Sequence, residues 1–151
     1  MRRFHFRLER FLDLKRYTER EWELALASIT GQCFMIEQDI KNREAEILER
    51  LGKRSWPTGK MDLNALYSME MYLTRLENEI RQFEVELAKK QAKRREVQKK
   101  YLDASRERKV LDKLKERKES EYYQEQKKEE FKVQDDITTG SVARRNVVEG
   151  V

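Results

Sequence analysis

Leu51-Gly52-Lys53-Arg54-Ser55-Trp56-Pro57-Thr58-Gly59-Lys60-Met61 is the one stretch in which this chain stops reading as helix. Pro57 is the only proline in 151 residues, and Gly52 and Gly59 stand on either side of it. Proline lacks an amide donor and clashes with the preceding turn, while glycine accepts the left-handed conformation in which many helices end. On both sides of the interruption, apolar residues recur at spacings of three and four. A narrow apolar seam of that period, broken once, predicts two long helices that fold back on each other. The fold class read from it is all-α: a long two-helix antiparallel coiled coil, an α-hairpin with helix 2 longer than helix 1.

Composition agrees. Charged residues make up 42% of the chain and hydrophobic ones 38%, with five glycines. A globular core needs more apolar residues, whereas a coiled coil needs only a seam. No strand-like alternation bounded by turn residues occurs. The formal net charge is +5. Residues 88–118 hold 14 basic and 5 acidic side chains, residues 119–136 hold 3 and 7, and residues 4–51 hold 8 and 10. The positive excess therefore sits in the middle of helix 2. Such a stripe is either a solvated face partly balanced by helix 1 or a surface for an acidic partner. Cys33 is alone, so no intrachain disulfide forms. Met1-Arg2-Arg3 is not followed by an apolar signal segment, and no stretch reaches the length of a membrane span. The expectation is a reduced, soluble, cytoplasmic protein without direct membrane insertion.

Helix 1 is read over about 4–51, with the seam Phe4, Leu8, Phe11, Lys15, Thr18, Trp22, Ala25 and Ile29, then after a phase shift Cys33, Ile36, Ile40, Ile47 and Leu51. Residues 52–61 form the turn. Helix 2 is read over about 62–132, capped by Asp62 with Met61 and Leu66 as a hydrophobic staple. Its seam is Leu66, Met69, Leu73, Leu76, Ile80, Phe83 and Leu87, continuing with more polar positions to Leu111. The coiled-coil domain covers 1–137, and 138–151 reads as a disordered tail. If Leu51 lies near Asp62, Ile29 faces Phe83 and Leu87, Trp22 falls near Lys90 and Arg94, Phe11 near Tyr101 and Phe4 near Arg108. Helix 2 then runs on alone, carrying Tyr122 and Tyr123 beyond the cover of helix 1.

No catalytic constellation, metal-ligand spacing, phosphate loop or cofactor site is expected. His5 is the only histidine and lies far along the helix from Cys33. Phe4, Phe11, Trp22, Phe83 and Tyr101 fit the seam as packing residues. Tyr72 stands beside it on a ridge with Leu76, Glu79 and Phe83. It is either a shield for the seam or a partly exposed anchor for a partner.

Two stretches carry a resemblance. Phe4-His5-Phe6-Arg7-Leu8-Glu9-Arg10-Phe11-Leu12-Asp13-Leu14-Lys15 resembles the opening of the FliJ family of the flagellar type III export apparatus. So does Lys109-Val110-Leu111-Asp112-Lys113-Leu114-Lys115-Glu116-Arg117-Lys118, followed by residues 119–128 and the acidic Asp135-Asp136. The resemblance spans about residues 2–137 and implies a non-enzymatic antiparallel coiled coil similar to that of the rotary γ subunit of F1-type ATPases. The partners it implies are the hexameric export ATPase FliI, the export gate protein FlhA and export chaperones. They would place the protein in the cytoplasm, peripherally associated with the inner face of the membrane. By position, the gate contact falls on Tyr72, Leu76, Glu79 and Phe83. The family has a small residue at the place of Glu79 and a polar ring at that of Phe83, so this sequence departs at both. The ATPase contact falls on Phe4, Arg7, Leu8 and Phe11 with Arg106, Lys109, Lys113, Lys115 and Lys118. Two other readings stand beside this one. One is a structural, oligomerising coiled coil. The other is a nucleic-acid-binding coiled coil using residues 88–118, against which no aromatic-basic platform or DNA-binding motif is present.

Overall fold

A computed structural model of the chain describes residues 3–53 and 62–150. Two helices make up the fold: α1, Glu9–Gly52, and α2, Leu63–Glu149. They pack against each other antiparallel, and no strand occurs among the described residues. The all-α hairpin read from the seam is the fold. Trp56, Pro57, Gly59 and Met61, on which the turn and the staple were read, lie outside the described residues.

The start of α2 follows from its sequence. Asp62 Oδ1 accepts the backbone N–H groups of Asn64 at 3.0 Å and Ala65 at 3.4 Å, satisfying two donors that the first turn leaves over. The end of α1 falls at Gly52 as expected, but by a different device. Gly52 is still helical, its φ is not left-handed, and Lys53 N–H continues the ladder to the Glu49 carbonyl at 3.2 Å.

The chain divides into two units. Unit 2 spans Thr18–Ala104, and unit 1 joins Met1–Tyr17 to Ser105–Val151. In unit 2 the buried seam is Ile29, Cys33 and Ile36 of α1 with Leu73, Leu76 and Ala104 of α2. Trp22, Ile40, Ile80, Phe83 and Leu87 are half-buried along it. The residues are those expected, yet the register is not. The cross-helix pairs Trp22–Lys100, Gln32–Lys90 and Arg43–Glu79 have residue numbers that total 122 in each case. The expected pairs total 112 to 116. The difference averages about one heptad, roughly 12 Å of helix. A seven-residue repeat looks the same after a slip of seven, so the apolar pattern cannot distinguish the two registers, and the polar flanking pairs decide between them. Trp22 accordingly keeps a cation–π contact, with Lys100 Nζ at 4.9 Å from its ring rather than with Lys90 or Arg94.

In unit 1 the helix begins at Glu9 rather than Phe4. Glu9 N–H bonds the Phe6 carbonyl at 3.2 Å and closes a turn, and the Glu9 carboxylate suits the positive end of the helix dipole. With the helix started there, the buried residues are Phe6 and Leu12, the latter fully. Leu8 and Phe11, read as seam, are 40% and 47% exposed. Phe4 packs on Tyr122 with ring centroids 5.6 Å apart, and Tyr122 on Tyr123 at 5.6 Å. Tyr122 is therefore covered and half-buried, and Phe4 does not reach Arg108. α2 continues past the expected end near Lys132 to Glu149. Through the stretch read as a disordered tail, Thr138, Thr139 and Ser141 hydroxyls donate to the carbonyls of Gln134, Asp135 and Thr138 at 2.7 to 2.8 Å.

Candidate functional site

Among the described residues no group of His, Cys, Asp and Glu could hold a metal ion, and no helix is long and apolar enough to cross a membrane. The grooves that line the helices are shallow surface features. The residues singled out from sequence fall into two groups, one on each unit.

On unit 2, α1 supplies partners for the ridge of α2. Tyr72 is half-buried, and its hydroxyl donates to the Glu46 carboxylate. The Arg50 guanidinium lies over the Tyr72 ring at 4.9 Å. The hydrogen bond to Glu46 is the chief cause of a Tyr72 pKa raised above 10.0, and burial and the Glu46 charge add to it. Glu79 is half-buried between Arg43, with Nε 2.8 Å away, and Arg75, with Nε at 3.4 Å. The buried Arg43 N–H is not aimed along that line, so its bond to Glu79 is one of charge rather than a directed hydrogen bond. Leu76 is 3% exposed and belongs to the core, and Phe83 is half-buried. The ridge thus presents Tyr72 and the flanking charges, whereas Leu76 holds the fold. Glu46, Arg43 and Arg50 escape a sequence reading, because only the true register brings them to Tyr72 and Glu79.

On unit 1, the cations divide into committed and uncommitted. Lys115 is half-buried and reaches the Glu9 carboxylate at 2.9 Å. Lys118 pairs with Glu121 at 3.0 Å, and Arg117 joins the same carboxylate at 3.1 Å. The hydrogen bond from Lys118, followed by that from Arg117, holds Glu121 below its ordinary 4.5. Lys15–Glu107 at 2.5 Å and Arg16–Asp112 at 3.1 Å cross between the helices. Lys15 Nζ also lies 5.3 Å from the exposed Phe11 ring. By contrast Arg7, Lys109 and Lys113 are exposed and make no ion pair with a described residue. Arg106, Lys109 and Lys113 recur at three and four residues and share the face of α2 turned away from its seam. Elsewhere on unit 1, Phe4, His5, Phe6, Arg7, Leu8, Leu114 and Lys118 line an open groove of about 550 Å³. Unit 1 therefore offers an apolar groove rimmed by cations and, separately, a row of exposed cations.

No curated protein and no solved structure matches the chain. A family model, that of the flagellar FliJ protein, matches residues 4–147, past the 137 at which the sequence resemblance stopped. The match takes in both helices and both surfaces just described, and on that coverage the chain belongs to the flagellar FliJ family, a component of the flagellar export apparatus.

Proposed function

We propose that this chain acts without catalysis of its own, as the coiled-coil partner of the export ATPase FliI, and that unit 1 carries that contact. The observation that supports it most is the row of exposed cations Arg106, Lys109 and Lys113, on the same unit as the cation-rimmed groove of Phe4, Arg7 and Leu8. Lys109 and Lys113 have no internal carboxylate to neutralise them, so they attract acidic groups on a ring at no cost to the fold. Lys115 and Lys118 are already paired: Lys115 ties α2 to Glu9 of α1, and Lys118 is engaged by Glu121 of its own helix.

The test separates these two classes. Lys109→Glu with Lys113→Glu is expected to cut co-sedimentation with the ATPase at least about tenfold and to abolish stimulation of ATP turnover, with helicity unchanged. Lys115→Glu is expected to lower thermal stability instead. Full stimulation by the double variant would remove unit 1's exposed cations from the contact. Contact with the gate protein FlhA belongs in this reading to Tyr72 and its neighbours on unit 2, and the escort of export chaperones and the peripheral membrane location follow from the same assembly.

A further inference from the structure

In a chain whose residues are 42% charged, the thirteen positions 24–36 carry no charge. The seam accounts for half of them: Ile29, Cys33 and Ile36 are buried and Ala25, Leu26 and Thr30 half-buried. The opposite face of α1 is apolar as well. There Leu24, Phe34 and Met35 are 61%, 59% and 68% exposed. Among them lie the small, exposed Ala27, Ser28 and Gly31. A helix that is apolar on every side has a partner on every side, and within unit 2 only the seam side has one.

Gly31 sharpens the point. Nothing lies within 4 Å of where its Cβ would be, and its φ is not left-handed. No contact and no backbone conformation of the monomer requires glycine there, although glycine weakens a helix interior. A second helix crossing close at this position does require it.

We infer that this face binds a second copy of the chain, with the two α1 helices antiparallel and Gly31 at the twofold axis. On a helical wheel centred on Gly31, Ser28 and Met35 lie on one flank and Ala27 and Phe34 on the other. An antiparallel twofold brings like flanks together at mirrored heights. Met35 then meets Ser28 of the second copy, Phe34 meets Ala27, and Gly31 meets Gly31, so the two large side chains nearest the axis each find a small one. A parallel pair would set Phe34 against Met35 and Ala27 against Ser28, leaving a crowded end and a void.

Charge complementarity marks the same pairing. Glu23 and Lys41 are exposed on the Ala27 flank and come opposite each other twice across the twofold. On the other flank, exposed Glu21 approaches Asp39 of the second copy, which weakens the pair. None of these four makes an ion pair with another described residue. Leu24, Phe34 and Met35 together expose on the order of 400 Å² per copy, about half of what a standard interface takes from each partner. The dimer is thus reversible. It is independent of the ATPase contact, which uses unit 1.

Sedimentation of the full chain from about 1 to 300 μM tests it, a range in which an interface of this size is expected to show both species. A reversible monomer–dimer equilibrium is expected. Glu23→Lys should weaken it at least about tenfold, E23K with K41E should restore it to within about threefold, and Asp39→Lys should tighten it at least about threefold. Gly31→Leu should stay monomeric with its helicity intact, which separates the interface from folding. A chain that is monomeric throughout, or a double charge swap as weak as E23K alone, would overturn the proposal. So would a monomer whose Met35 becomes protected from hydroxyl-radical oxidation only when the export ATPase or gate protein is added, since the face would then belong to the apparatus.

Discussion

Tyr72 is held from two sides by α1, its hydroxyl by Glu46 and its ring by Arg50. The hydrogen bond exists only while the phenol keeps its proton. Its contribution is therefore complete below the ordinary pKa of 10.0 and is lost as pH rises through the higher folded value. In an ultraviolet titration of the folded chain, Tyr72 should give a late step, above the ordinary phenol value of 10.0. Tyr72→Phe should remove that step, and Glu46→Gln should move it down; a late step that survives Tyr72→Phe would contradict the arrangement. Sequence alone marked Tyr72 as standing beside the seam and left open whether it shields or anchors. Its intrachain partners, Glu46 and Arg50, are remote in sequence and join it only through the register. Leu76 teaches the complementary lesson. Read from sequence as part of the ridge, it is 3% exposed and belongs to the seam, because a seam residue and a ridge residue are one step apart on a helix.

At the scale of the elements, starts were more legible than ends. Asp62 before an apolar period was sufficient to place the first turn of α2, since a short side-chain acceptor has few other uses there. Asp62→Ala should cost about 1 kcal/mol in a urea titration, whereas Asp62→Asn should be nearly neutral. A loss well below that for the alanine variant would mean that the first turn is held by something other than its cap. The start of α1 was misread by five residues because Phe4 and Leu8 happen to continue the period, while a turn from Phe6 to Glu9 delays the helix. The far end of α2 was misread for a related reason. Residues 138–149 lack an apolar period, and periodicity was the only criterion applied. Backbone ladders and Ser/Thr hydroxyls that bond back to the preceding turn carry a helix without one.

For the molecule as a whole, composition carried most of the inference. Only eight hydrophobic residues are buried among those described. A seam is economical in apolar side chains, which is why a chain so rich in charge can fold. The charge distribution pointed to the middle of α2 as a basic surface. What it could not separate were Lys115 and Lys118, neutralised by Glu9 and Glu121, from Lys109 and Lys113, which are not. That distinction depends on three-dimensional pairing and is the one on which the functional test rests.

Cys33, 2% exposed in the seam of unit 2, has a practical consequence. Its sulfur is sealed by the neighbouring turns and by α2, so an alkylating reagent reaches it only while the two helices are parted. The speed of iodoacetamide capture in native buffer then serves as a clock for such openings, read from one atom with no added label. Leu76→Ala, which takes out a core side chain worth about 2 kcal/mol or more, should quicken that clock roughly thirtyfold or beyond. An unaltered rate would mean that the thiol meets reagent through local fraying of α1, with the zipper still closed.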